Sequence, residues 1–457
     1  MMLQRRIFYL IQFVNIHKLN CLLILALVFT AVLQAQVWPL DQVIKHANTH
    51  NKSLVVAENK KGIAVEKERE VRSQTFPQLK LAADYRYYAE LPYQLLPLSV
   101  FNGPEGQFKE AQFGVPHNAS VGLSFSLPLF NPSRKAMSDV ASAGSEVAGL
   151  QTLQSGDQLF YDLSVHYFNA QVLRNQLAFA DSNLANSRKL LRVVSQLREQ
   201  GLARQIDVDQ ARLQMEQVST QRDLAEGSYR QIINTIRWLA GIEQDTPLEA
   251  ELQPEFDNPI PESDESSLER KIADARIRMV RAEWDALKRT RLPNVVATAQ
   301  LNGVGLGYTG EPESFWKSYL HAYGGIQLQW PIYQGGRTNY QERQKYLEME
   351  NVLLERDMLS DKLSMQRTNI IIQMDSRRKA AGLALDRITQ GQAVYEQMLA
   401  LQAQGMASVP DVLQADNALR EMQHAYLSAT VSYLAAVLDW KKINGRLSPD
   451  SEQPNSK

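Results

Sequence analysis

The sequence predicts an α+β membrane protein in which two internal repeats each supply one strand pair and one long helical hairpin. Three observations carry this: a repeat at a spacing of about 204 residues, strand-type alternation in four short stretches, and two proline-free helical stretches of some 65 residues. Four strands per chain cannot close a bilayer-spanning barrel, because such barrels use eight or more strands and open edges in lipid leave backbone groups unsatisfied. The fold class is therefore a trimeric 12-stranded β-barrel continued by a long α-helical coiled-coil barrel.

Composition excludes several alternatives. The 457 residues carry 49 Lys plus Arg against 50 Asp plus Glu, a formal charge of −1 that asks for no polyanionic partner, so no nucleic acid is expected. Apolar residues at 44% and charged ones at 22% fit neither a disordered chain nor a polytopic helical membrane protein. A single cysteine rules out a disulfide framework and any Cys-based metal site.

The chain opens with Arg5, Arg6, His17 and Lys18, then the apolar run Cys21 to Leu33 and small Ala35, the order of an export signal over 1–35. The run falls short of the roughly 20 residues that a helical anchor needs. Cys21 lies inside it without the small apolar residues of a lipoprotein processing site, so no acyl anchor is expected. Past Ala35 no stretch suits a spanning helix, and membrane residence would have to come from strands.

The repeat sets Gln200–Gly241 over Gln404–Gly445. Gln200/Gln404, Gly201/Gly405, Ala203/Ala407, Asp207/Asp411, Val208/Val412, Gln210/Gln414, Ala211/Ala415 and Gly241/Gly445 are among the identities, without a gap. Leu127-Pro128-Leu129-Phe130 answers Trp330-Pro331-Ile332-Tyr333, and Phe76-Pro77-Gln78 answers Leu292-Pro293-Asn294. The first half has about 13 extra residues, which fit between Leu91 and Pro116. The expected organisation is a first repeat over 36–241, with strand pair 79–130 and helical hairpin 133–240. An acidic linker bearing four prolines covers 242–265. The second repeat spans 266–445, with strand pair 294–333 and hairpin 337–443, and a polar tail fills 446–457.

Within the strands, Ala119, Val121, Leu123, Phe125 and Leu127 alternate with small or polar residues, and Leu79, Leu81, Ala83, Tyr85 and Tyr87 do the same upstream. The second half repeats this with Val295, Ala297, Ala299 and Leu301, then with Leu320 through Ile332. A switch of apolar face to Val304, Leu306 and Tyr308 predicts a bulge near Asn302-Gly303. Tyr85, Tyr87, Tyr88, Tyr93, Tyr308, Trp316, Tyr319, Tyr323 and Trp330 cluster here, as an interfacial girdle or as ordinary strand composition would.

The helical stretches Met137–Glu199 and Tyr340–Gln404 would each extend ~100 Å, far beyond a globular helix. Their seams run at the 3.5-residue coiled-coil period: Ala170, Leu173, Leu177, Ala180, Leu184, Ser187, Leu191, Val194, and Ile370, Met374, Arg377, Ala381, Ala384, Ile388, Gly391, Tyr395, Met398. The returning arms repeat it from Val208 to Ile236 and, as Val412, Ala415, Leu419, Met422, Tyr426, Ala429, Tyr433 and Ala436, in the second hairpin. At one tip Gly405 stops the helix and Ser408 with Asp411 forms a capping box, with Pro410 in the first turn; at the other, Arg204 stands where Ser would. The weak, alanine-rich seams suit helices wrapping a wide lumen, and the physical reading is a pore.

Here the sequence resembles the TolC family of outer-membrane efflux channel proteins. The resemblance rests on Ser126-Leu127-Pro128-Leu129-Phe130 and Gln329-Trp330-Pro331-Ile332-Tyr333-Gln334-Gly335-Gly336 as barrel–helix junctions (Pro128, Pro331, Gly335, Gly336), and on Gly201–Ala211 and Gly405–Ala415 as periplasmic tips. It implies a homotrimer in outer-membrane lipid with its helical tunnel in the periplasm, docked to a periplasmic adaptor (membrane fusion) protein and an inner-membrane transporter. The role implied is the channel of a tripartite efflux or type I secretion system. It further implies a pore constriction at Asp411 and Gln414, where the family has two acids, with Asp207 contributing to closure. The family's Tyr and Arg partners for Asp207 are replaced by Gln402 and Ala407, so the lock differs. Adaptor-docking tips would be Gly201, Leu202, Ala203 and Gly405, Met406, Ala407.

Each candidate has a plainer reading. Asp207 and Asp411 are first-turn acids that the helix dipole favours. Gly335-Gly336-Arg337 lacks the spacing and Lys of a phosphate loop, and His46 and His50 lack a third metal ligand. No catalytic constellation, cofactor or metal is expected, hence no enzyme. The remaining alternative is a non-channel periplasmic coiled-coil scaffold protein, which would not need four strands with one greasy face.

Overall fold

A computed structural model describes residues 36–243, 248–249, 267–308, 310 and 315–444. The expected export signal, most of the linker and the polar tail lie outside the described residues. The helices are α1 (Leu40–His50), α2 (Lys52–Ser73), α3 (Pro132–Glu199), α4 (Gln205–Ala240), α5 (Leu268–Arg289), α6 (Arg337–Ala403) and α7 (Val409–Ile443). The strands are β1 (Gln36–Val37), β2 (Gln78–Tyr87), β3 (Tyr93–Pro97), β4 (Phe108–Gln112), β5 (His117–Phe130), β6 (Leu248–Glu249), β7 (Asn294–Gly307) and β8 (Trp316–Gln329). Among the described residues no helix is long and apolar enough to cross a membrane.

The chain divides into two compact units that cut across the two sequence halves. The described residues within 1–59, 150–271 and 358–457 form one, and those within 60–149 and 272–357 the other. In the first unit α1 lays Val43 and Ala47 against Leu159, Leu163, Tyr167 and Ala170 of α3 and Ile233, Ile236 and Ala240 of α4. The Tyr167 hydroxyl donates to the Trp38 carbonyl at 2.7 Å, so the polar end of a buried ring is satisfied. Asn51 joins α1 to α2. Its side-chain oxygen accepts from the Ser53 and Leu54 amides, and its Nδ2 donates to the Leu239 carbonyl.

The second unit contains one four-stranded antiparallel sheet in the order β2-β5-β7-β8. The connection between β2 and β5 holds a second, two-stranded hairpin, β3–β4, spanned by a 3-10 turn over Leu98–Phe101. The extra residues of the first half thus build structure. Two expectations are corrected. Pairing runs unbroken through Asn302 and Gly303, and the register shift falls between Pro128 and Phe130 instead. The apolar face appears to switch in the sequence only because Gly303, Gly305 and Gly307 continue it without side chains. A Cβ on Gly305 would lie 3.3 Å from the Trp316 ring, and one on Gly307 would lie 2.9 Å from the His117 Cβ, so glycine makes room for rings on this face. The last strand also stops at Gln329, so 330–333 are not strand. Pro331 has no amide hydrogen for a ladder, and Trp330 turns its indole N–H to the Arg291 carbonyl at 3.1 Å.

Candidate functional site: sheet faces, junctions and helical tips

Cross-strand partners point to the same side of a sheet, so the register sorts every side chain. One face carries Leu79, Leu81, Ala83, Tyr85 and Tyr87 of β2 beside Leu127, Phe125, Leu123, Val121, Ala119 and His117 of β5. It continues with Val295, Ala297, Ala299 and Leu301 of β7 and with Leu328, Ile326, Ala322, Leu320 and Trp316 of β8. No charged residue interrupts it, and it is bare: Leu81 is 72% exposed and Ile326 likewise. At its loop end Tyr85, Tyr87, Phe315 and Trp316 gather around His117, whose Nδ1 lies 2.7 Å from the Tyr85 hydroxyl.

The opposite face is mostly polar, with Val296, Val304 and Leu306 of β7 as its larger apolar residues. Ser120 donates to Asp84, Tyr323 donates to Gln300, and Asn302 lies 3.1 Å from His321 Nε2. Tyr319 and Tyr323 stand here, so those two tyrosines do not belong to a girdle on the apolar side. β2 and β8 are the two edges of this sheet.

The strand-to-helix junctions are built from different parts. After β5, Asn131 accepts the Arg134 amide at 2.9 Å and Pro132 opens α3, the favoured cap-then-proline order. After β8, Gly335 and Gly336 have φ of 61° and 80°, the left-handed region where a side chain is strained, and the Gly336 carbonyl accepts the Tyr340 amide. Pro128 sits within β5 at the register shift, where a missing donor is tolerated.

The tips belong to the helical unit and are near copies. Gly201 donates to the Arg198 carbonyl and Leu202 to that of Leu197; Gly405 donates to Gln402 and Met406 to Leu401. Both are Schellman motifs, with φ of 76° and 74° at the glycines. Leu202 and Met406 project into solvent, whereas Ala203 and Ala407 are half-buried. Beneath them Leu190, Val194, Val208, Tyr395, Val409, Val412 and Leu419 pack as one cluster.

The two tip acids sit in unlike surroundings. Asp411 is exposed. It accepts the Ser408 amide at 2.8 Å and the Ser408 hydroxyl at 2.6 Å, and those hydrogen bonds hold its carboxyl below the ordinary range. Asp207 is only 7% exposed. Arg204 supplies its partners: the backbone amide at 2.9 Å and the guanidinium at 3.2 and 3.1 Å, which also lower its carboxyl. An Arg in the cap position therefore closes the turn through the acid. Gln402 is buried and Gln414 is exposed.

Sequence reasoning missed one feature. Asp416 and Arg420 are 3% and 7% exposed and form an ion pair at 3.1 Å along α7. Gln214 of α4 donates to Asp416 at 3.3 Å and Asn417 accepts from Arg420. Burial pushes the Asp416 carboxyl up, with Arg420 opposing, and burial followed by Asp416 pushes the Tyr395 phenol up to about 12. The signal was an Asp/Arg pair four apart, one residue beyond Ala415 and Leu419 of the predicted seam. The buried stripe of α7 follows it through Gln423, Leu427 and Thr430.

One antiparallel sheet with an apolar and a polar face, together with two long helical hairpins, defines the fold class of the outer-membrane channels. The outer-membrane channel OprN superposes with a TM-score of 0.73 at 16% identity, covering 89% of each chain. The CmeC outer-membrane channel of Campylobacter jejuni does so at 0.73 and 14%, covering 91% of this chain and 87% of that one. VceC of Vibrio cholerae does so at 0.71 and 15%, covering 89% and 96%. In sequence, residues 43–242 match the family model described as Outer membrane efflux protein. The outer membrane efflux protein BepC of Brucella suis biovar 1 (strain 1330) is 27% identical over 126 residues. That match spans 28% of either chain, little more than a quarter. By sequence motif and by fold, the chain resembles the TolC family of outer-membrane efflux channel proteins.

Proposed function

We propose that this protein is the outer-membrane channel of a tripartite efflux or type I secretion system, a passive conduit from periplasm to exterior. The observation that carries the reading is the sheet: a bare apolar face in register over four strands, a polar face behind it, and two open edges. Lipid satisfies the first, a water-filled lumen the second, and sister chains the third. Three copies complete twelve strands, and six helical hairpins form the tunnel. Exposed apolar residues along the helices, among them Leu213, Leu224, Leu354, Met358 and Ile372, fit contact with further copies.

In this reading Asp411, with Gln414 beside it, rings the periplasmic entrance and favours cations. Asp207 anchors its own tip through Arg204, which supports closure by packing rather than by a bond to the neighbouring hairpin. Gly201, Leu202, Ala203 and Gly405, Met406, Ala407 receive the periplasmic adaptor, and an inner-membrane transporter supplies cargo. The descriptions of the relatives as efflux proteins and channels support a transport role rather than an enzymatic one.

The test is extraction followed by planar-bilayer recording. Heat-modifiable trimers in the outer-membrane fraction and stepwise conductance are expected, with Asp411→Ala reducing cation selectivity and divalent block. Ser408→Ala, which loosens the cap yet keeps the charge, is expected to retain both. Release by osmotic shock as a non-conducting species would favour the coiled-coil scaffold instead.

A further inference from the structure

The polar face of the sheet carries an uneven set of charges. Lys80 and Arg86 of β2 and Lys317 of β8 stand on it, against Asp84 as the one acid among its described residues. The Asp84 carboxylate is engaged on both sides, since Ser120 donates to it and Arg86 Nε lies 3.0 Å away. Each sheet therefore presents two more positive charges than negative ones, while its other face has none.

Their placement is ordered. Arg86 pairs with Asn118, Asn118 with Leu306 and Leu306 with Lys317, so both cations lie in one cross-strand row, on the two opposite edge strands. Lys80 stands six residues back along β2, about 20 Å away at strand rise. When edges are joined between copies, every seam brings an Arg86 strand beside a Lys317 strand. A polar wall of one sign within a confined lumen raises the local concentration of the opposite ion.

We infer that the β-sheet segment of the conduit is an anion-attracting collar, opposite in sign to the Asp411 tips, and that Lys80 and Lys317 help to set the ion and cargo-charge preference at the exit. This rests on the channel reading, and its test keeps the two apart. Reversal potentials of reconstituted trimers are measured across a KCl gradient near 0.1 M, where the screening length is about 10 Å, and again near 1 M. The double variant K80Q/K317Q is expected to lower the chloride-to-potassium permeability ratio about twofold or more at low salt, with the difference fading at high salt. The charge-keeping K80R/K317R is expected to hold the wild-type ratio. An unchanged ratio in K80Q/K317Q channels of normal conductance overturns the collar while leaving the channel intact. An equal shift in K80R/K317R also overturns it, because charge would not be the cause. Wild-type trimers that give no conductance overturn the channel reading and the collar with it.

Discussion

At the scale of single residues, the tips show one carboxylate position serving two environments. Asp411 and Asp207 are identical in the alignment of the halves, yet one cap is a serine and the other an arginine. Both carboxyls are held below their ordinary value of 3.8 by bonds within the tip, from Ser408 for one and Arg204 for the other. A depressed carboxyl contributes stability that is complete above the unfolded-state value and is lost as pH falls through the lower folded one. Both tips are therefore expected to keep their caps at neutral pH and to fray only in acid below about pH 4. Hydrogen exchange of the amides of residues 202–208 and 406–412 against pH measures this. Fraying that sets in near pH 6 would contradict it. The acids themselves were legible, because the repeat aligned them. The Arg204 fork was not, because an arginine at a cap position has no local signature and only the folded turn brings its guanidinium to Asp207.

Among the elements, the helical seams follow the predicted period, and one of them covers a charged pair as well. Every seam position named for α6, from Ile370 to Met398, is buried or half-buried. In α7 the named positions are likewise buried or half-buried, and Asp416, Arg420 and Gln423 are buried beside them. Periodicity ranks residues by apolarity and so assigns a charged pair to solvent; packing of α4 and α6 against α7 turned the pair inward. Breaking a buried pair costs more than replacing it whole. Asp416→Ala is expected to destabilise the tip by about 3–5 kcal/mol, and an Asp416→Leu/Arg420→Met double variant by clearly less. Exchange rates around Leu419 report the difference, and equal losses would show that the pair does not bind the stripe. Strands were legible for the opposite reason: a period of two survives short stretches, and in β7 it failed only where glycines erased one face.

For the whole molecule, the sheet ties chain to surroundings. Leu81 lies within edge strand β2 on the apolar face, in a row with Leu123, Leu301 and Ala322, while its neighbour Ala82 points to the polar side. Leu81→Arg is expected to cost about 2–4 kcal/mol in a bilayer and to deplete outer-membrane trimers, whereas Ala82→Arg is expected to be accepted. Quantifying heat-modifiable trimer in membrane fractions distinguishes them, and equal depletion would reject the assignment of faces. The amino-acid order by itself determined the strands, the long helices, the turns at Gly201 and Gly405 and the apolar alternation, because each depends on neighbours within a few residues or on a short period. Tertiary structure alone decided that β5 pairs with β7 across the halves, that β3 and β4 form a hairpin of their own, that the pairing through Asn302 and Gly303 runs unbroken, and that Asp416 and Arg420 are buried. Those outcomes depend on contacts between segments far apart in the chain, and no local pattern encodes which distant partner will satisfy a backbone edge or a buried charge.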